Sequence, residues 1–138
     1  MKMKFFETAR EESLLSDYKG QRLGAIAVYK GKVVLAKAHN SNITDTVQYL
    51  YNRYRKPTKP NIMEKPAKVH AEIALFKKIR FLDVDFKDIS IYVYRELRDG
   101  SLAMARPCAS CEHALRRLGI RDVYYTTTSG YAHERYVE

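Results

Sequence analysis

Three side chains that hold zinc well recur at telling intervals: His70, then Cys108 and Cys111 inside Pro107-Cys108-Ala109-Ser110-Cys111. Glu72 follows two places after the histidine, in His70-Ala71-Glu72. A structural zinc site is closed by four protein ligands, whereas a catalytic one keeps three and leaves the fourth position to water. Three ligands and a spare carboxylate are the inventory of a hydrolytic zinc enzyme. Two thiolates formally neutralise Zn2+ and a neutral imidazole fills the third place. The ion then lowers the pKa of water in the fourth from about 15.7 toward roughly 7. Two residues beyond His70 on a helix, Glu72 does not share its ligating direction, but it can lie over that water and shuttle protons.

Each motif alone has a plainer reading. His70 by itself suits an ordinary satisfied histidine, and Glu72 a carboxylate stabilising a helix start. The C-x-x-C suits a redox dithiol, which has no use for His-Ala-Glu upstream. Because both cysteines lie in this one motif, no disulfide framework of a secreted domain is available. The two motifs in order, both at expected helix starts, point to the metal.

The elements that must position them follow from periodicity and punctuation. Phe6 to Leu15 reads as a helix, with Phe6, Ala9 and Leu14 or Leu15 at helical spacing and Gly20 as a stop. Leu23 to Tyr29 and Lys32 to Ala38 are β-prone runs joined by Lys30-Gly31, a hairpin. Val47 to Tyr54 is compatible with a short helix, and the chain from Lys56 onward, with Pro57, Pro60 and Pro66, reads as a loop. His70 to Phe81 is a helix with Ile73, Phe76 and Ile79 on one face. Ile89 to Tyr94 is apolar nearly throughout, hence a central strand covered on both sides. Asp99-Gly100 marks a turn. Pro107 to Leu118 is a helix, with proline at its first position and Gly119 as its stop. Val123 to Thr127 is a strand, and Ser129-Gly130 turns it into Tyr131 to Val137.

That last connection carries topology. A parallel crossover needs a dozen or more residues, and only 11 follow Thr127. If the final segment pairs with its predecessor, it returns as an antiparallel hairpin. The order α-β-β-α-β-α-β-β gives a mixed five-stranded sheet covered by helices.

Composition bounds the class. The 138 residues suit a single domain spanning 1–138, and 46% hydrophobic with 30% charged residues is globular composition. No apolar run of about 18 residues is present, and the N-terminus turns charged before a signal-peptide core forms, so a soluble cytoplasmic protein without a membrane span is expected. The net charge is +9. From Tyr51 to Lys68 six basic residues (Arg53, Arg55, Lys56, Lys59, Lys65, Lys68) face one acid, Glu64. A localised positive field favours polyanions. A solvated lysine-rich loop explains the same charges.

H-x-E followed by P-C-x-x-C is the pattern of zinc deaminases acting on nucleobases, a match rather than a derivation. In this arrangement the chain resembles the cytidine deaminase-like superfamily, over most of its length from Leu23 to Val137. The resemblance implies a three-layer α/β/α fold, a Zn2+ cofactor held by His70, Cys108 and Cys111, and Glu72 as the catalytic proton shuttle to ring nitrogen and departing ammonia. Leu23 to Val28, Gly31 to Val34 and then Asn40 look like the family's first hairpin. There an asparagine contacts base or sugar, a role Asn40 inherits by position, its plain reading being a turn residue. Ala71 stands with it among the substrate-contacting residues. The closing hairpin resembles the branch holding free-cytidine and several toxin deaminases. Two features depart from free-nucleoside enzymes: Asn42 stands where a sugar-gripping glutamate is usual, and a basic, tyrosine-bearing insertion precedes the first motif. In it Arg53, Tyr54 and Arg55 suit phosphate tracking and base stacking, or, for the tyrosine, ordinary packing.

The function expected from this is hydrolytic conversion of cytosine to uracil on a base in single-stranded nucleic acid. The alternatives are a deaminase of free cytidine, deoxycytidine or their monophosphates, an adenine deaminase, and an inactive zinc-binding module. The partners are cytosine-containing nucleic acid or nucleotide, and the resemblance implies a homodimer or higher homo-oligomer.

Overall fold

In the computed structural model, which describes residues 2–18, 21–43, 45–52 and 70–137, five strands form one mixed sheet. Strands β1 (Arg22–Tyr29) and β2 (Val33–His39) make an antiparallel hairpin. Its turn places Lys30 at φ +50° and Gly31 at φ +68°, closed by the Lys32 N–H donating to the Tyr29 carbonyl at 3.0 Å. On its other side β1 pairs antiparallel with β3 (Ile89–Glu96). β3 runs parallel to β4 (Asp122–Thr127), which returns into antiparallel β5 (Gly130–Arg135), for the order β2-β1-β3-β4-β5. The closing hairpin and the mixed sheet expected from the sequence are both present.

Among the described residues four α-helices accompany it: α1 (Met3–Ser13), α2 (Thr46–Tyr51), α3 (Ala71–Ile79) and α4 (Ala109–Leu118). None of the described helices is long and apolar enough to cross a membrane. Successive strand residues face opposite sides, and that alternation sets the layers. Ala25, Ala27, Ile89, Ile91 and Val93 pack with Leu75 and Ile79 of α3 and Leu115 of α4. Their neighbours Ile26, Val28, Tyr92 and Tyr94 pack with Phe5, Phe6 and Ala9 of α1. The sheet is thus sandwiched, α/β/α. Each fully buried Ile or Leu contributes about 1.5–3 kcal/mol.

Three element ends differ from the expectation. α1 starts at Met3, and Leu14 and Leu15, taken as part of its inward stripe, are 44% and 64% exposed. The buried face is instead Phe5, Phe6, Ala9, Glu12 and Ser13. Both phenylalanines reach Tyr92, at centroid distances of 5.4 and 5.0 Å, which rotates the later leucines outward. α3 ends at Ile79, and Phe81, beyond its apolar face, is 85% exposed. α4 begins at Ala109, so Pro107 is not in the first turn; Cys108 takes the N-cap with an extended backbone (φ −67°, ψ 169°). α2 covers the first part of the Val47–Tyr54 candidate, started by Asp45, whose carboxylate accepts from the N–H groups of Val47 and Gln48. The rest of that candidate and Gly20 lie outside the described residues.

α1 sits directly on β1. A Cβ at Gly24 would stand 2.1 Å from the Ala9 carbonyl oxygen and 2.7 Å from the Ser13 nitrogen, both backbone atoms that cannot rotate away. Gly24→Ala is therefore expected to lower stability by about 3 kcal/mol or more, the upper end of overpacking penalties. A denaturant midpoint within error of the wild type would show that α1 docks differently.

Candidate metal centre and active site

The site is built where two helices begin. His70 precedes α3 and Cys108 precedes α4, each an N-cap with extended backbone (His70 φ −79°, ψ 155°) whose carbonyl accepts the first helical hydrogen bond. Helix starts leave N–H groups unpaired and carry partial positive charge, which favours thiolate. Cys111 lies one turn into α4, on the same face as Cys108. The result is a tight triangle. The His70 Nδ1 is 3.5 Å from the Cys108 Sγ and 3.4 Å from the Cys111 Sγ, and the sulfurs are 3.5 Å apart.

These edges can be tested against a metal. Tetrahedral zinc with bonds of about 2.3 Å to sulfur and about 2.0 Å to nitrogen requires S···S and S···N edges of roughly 3.8 and 3.5 Å. The three side chains fit that ion, with the two sulfurs needing to part by only a few tenths of an ångström. Among the described residues they are the one group of histidine, cysteine or carboxylate side chains placed to hold a metal. Contact with Cys111, and after it with His70 and Ser110, outweighs burial and lowers the Cys108 thiol to about 3. Cys111 is pushed well above its ordinary value by its bond to Cys108 and by burial.

Glu72, in the first turn of α3, is 3% exposed and stands outside the ligand triangle. Among the described residues its Oε1 has no hydrogen-bond partner. Burial raises its pKa, offset in part by His70, while the Cys108 thiolate adds to the rise. A buried carboxylate oxygen without a partner costs free energy unless something that enters the site completes it. It borders a cavity of about 210 Å³ with His70, Ala71 and Cys108 on one wall. Tyr18, Gln21, Leu23 and Asn40 line the same cavity, as do Arg95, Met104, Ala105 and Arg106.

Of the residues singled out in the sequence, His70, Ala71, Glu72, Cys108 and Asn40 therefore meet at one cavity, with Cys111 buried behind it. Arg53, Tyr54 and Arg55 lie outside the described residues. Asn40 is more occupied than a free substrate ligand would be. Its Oδ1 accepts from the Ser16 hydroxyl at 2.6 Å and the Leu23 N–H at 3.0 Å, and its Nδ2 donates to the Gln21 carbonyl at 3.0 Å. It ties the chain before β1 to the end of β2, and so fixes the wall carrying Tyr18 and Gln21.

Two residues escaped the sequence reading. Gln48 of α2 is fully buried; its Oε1 accepts the His70 N–H at 3.0 Å and its Nε2 donates to Asn52 at 2.8 Å. Nothing in Thr-Val-Gln-Tyr-Leu signals this, because the partner is 22 residues away. Arg95 did leave a signal: a cation directly after the apolar run of β3, at the carboxyl end of a strand with a parallel neighbour, where α/β sheets bind ligands. Partners that orient a metal ligand affect affinity by about 10–100-fold. Gln48→Ala is expected to weaken zinc binding by about that factor in a chelator competition, with far-UV circular dichroism unchanged, whereas Cys108→Ser and Cys111→Ser lose bound zinc outright. Full zinc occupancy in either cysteine variant would contradict the ligand set.

A family model for the cytidine and deoxycytidylate deaminase zinc-binding region matches residues 1–127. Among solved structures, the apo dCMP deaminase of cyanophage S-TIM5 is similar, at 21% identity and TM-score 0.60, over 91% of this chain and 84% of that one. The same enzyme in complex with dCMP and dUMP gives the same identity and score, with 82% of its chain covered. Cytidine deaminase from Burkholderia pseudomallei shares 13% identity at TM-score 0.62, over 98% and 92% of the two chains. At such identities these likenesses concern the fold. No curated protein sequence matches significantly. With the family model spanning all but the last strand and a ligand triangle of the right size for zinc, the chain belongs to the cytidine and deoxycytidylate deaminase family through its zinc-binding region.

Proposed function

We propose that this chain hydrolyses the exocyclic amine of cytosine within a nucleotide, giving uracil and ammonia, and that it does so as one domain spanning residues 1–138. The observation that carries this reading is the buried carboxylate of Glu72, unpartnered at Oε1 beside His70, Cys108 and Cys111. Zinc held by those three would supply a Lewis acid that lowers the pKa of the attacking water. Glu72 moves the protons. It accepts one from the water as the new C–O bond forms at C4 and delivers it to the ring nitrogen; it then takes the second from the hydroxyl on C4 and passes it to the amine, so that the C–N bond breaks to release ammonia as the C4 carbonyl forms. Burial, which raises its pKa, suits it to hold a proton between these steps. Ala71, fully buried at the cavity wall, leaves room for the base. Asn40 keeps one amide N–H beyond the bond to Gln21, for a substrate acceptor.

The cavity of about 210 Å³ suits one base with its sugar, and two arginines border it. This favours a free nucleotide, the substrate named for the cyanophage enzyme. A second reading, a base in single-stranded nucleic acid, is favoured by the charge of the sequence, since residues 51–68 carry five of the nine net positive charges.

Glu72→Ala is expected to retain zinc while ammonia release from cytosine substrates falls by at least about 10²–10⁴-fold; turnover like the wild type's would remove Glu72 from the mechanism. A panel of cytosine and adenine nucleosides, nucleotides and oligonucleotides, followed by mass spectrometry across a salt series, separates the substrates. Binding of a polymer through about five phosphates weakens with a log–log slope of roughly −0.7 per contact. Brisk dCMP turnover with a shallow response assigns the free nucleotide, and a steep response confined to oligonucleotides assigns the polymer.

A further inference from the structure

The two arginines at the cavity differ in one respect. Arg106 is spoken for: its Nε and one terminal nitrogen donate to the two carboxylate oxygens of Glu134, each at 2.8 Å. That pair holds the Glu134 carboxyl below its usual range and largely cancels the Arg106 charge. Among the described residues Arg95 has no such partner. One terminal nitrogen donates to the Met104 carbonyl at 3.2 Å, and its buried Nε meets no acceptor there. No carboxylate of the described residues forms an ion pair with it. A partly buried guanidinium that lacks a counter-charge is costly, and an anion supplied from outside relieves it.

Its position is fixed in advance. The Arg95 N–H donates to the buried Thr126 hydroxyl at 3.1 Å, and that hydroxyl donates to the Ala103 carbonyl at 2.8 Å. The Ala103 N–H returns to the Arg95 carbonyl at 3.0 Å, and the Ala105 N–H reaches the Thr126 carbonyl at 2.9 Å. The end of β3, the chain leading to α4 and β4 are thereby locked together, with Arg95 on the same cavity as Glu72.

We propose that Arg95 is the anion anchor of this site: it pairs with the phosphate monoester of a cytidine-type mononucleotide while the base lies against Glu72, and so selects nucleotide over nucleoside. This deepens the deaminase reading and rests on it for the identity of the base. The planar guanidinium offers parallel N–H donors suited to phosphate oxygens, which an ammonium does not reproduce.

The test compares zinc-loaded wild type, Arg95→Gln and Arg95→Lys on dCMP, deoxycytidine and a short cytosine oligonucleotide. A charge-assisted bond of this kind contributes about 10–100-fold. Arg95→Gln is expected to raise the KM for dCMP by about that factor with kcat nearly unchanged, to leave deoxycytidine unaffected, and to be partly rescued in Arg95→Lys. Equal losses on dCMP and deoxycytidine, no loss on either, or a loss confined to the oligonucleotide would each overturn the proposal, the last by assigning Arg95 to a phosphodiester. Calorimetric binding of dCMP and deoxycytidine gives a readout that needs no turnover. A wild-type preference for dCMP that vanishes in Arg95→Gln supports the anchor even if no ammonia is released, in which case the deaminase reading fails alone. Deamination with no such preference removes the anchor and leaves that reading standing.

Discussion

The convergence of two helix starts on one point is the constraint that the rest of the structure serves. His70 and Cys108 belong to segments 38 positions apart, yet the His70 ring nitrogen and the Cys108 sulfur lie within 3.5 Å. Each is an N-cap, half out of its helix, so its side chain is aimed by the entering chain as much as by the helix. Holding two such ends together concentrates like partial charges and desolvates a carboxylate beside two sulfurs. A divalent cation held by His70, Cys108 and Cys111 would offset that concentration. The metal is in this sense part of the fold's electrostatic balance as well as of its chemistry.

Sheet topology delivers the convergence. β3 and β4 are parallel, so the chain must cross over between them, and α4 is that crossover. Its first residues therefore lie at the carboxyl end of β3, next to Arg95. α3 packs on β1 and β2, where Ala25, Ala27, Ala36 and Ala38 keep the surface low and let the helix approach closely. Gln48 supplies the remaining fixation, tying the backbone of His70 to α2.

How much of this was legible follows from the range of each interaction. The ligand set, Glu72, the strands and the closing hairpin rest on local spacing, turn residues and chain length, and these are written in the sequence directly. Helix ends were less legible: Leu14 and Leu15 have the right period for α1, but the aromatic contacts of Phe5 and Phe6 with Tyr92, 86 or more positions away, choose the other stripe. Pro107 fits a first helical position by propensity, yet Cys108, beside His70, holds the cap. Gln48, Thr126 and the bracing role of Asn40 depend wholly on partners brought by tertiary structure. A buried polar residue looks in sequence like any surface one.

The positive charge of the chain acts on two scales that need not serve the same end. The sequence concentrates positive charge between Tyr51 and Lys68; such a field favours encounter with an anionic molecule and is screened beyond about 8 Å at physiological ionic strength. Arg95 lines a cavity where, among the described residues, the other bordering arginine, Arg106, is paired with Glu134. An interaction there is less screened and directional, and it decides orientation more than arrival. A mononucleotide can use both, drawn in by the field and then seated by one guanidinium. The localised charge of the sequence, which first suggests a polymer, is therefore compatible with a site that takes a single nucleotide.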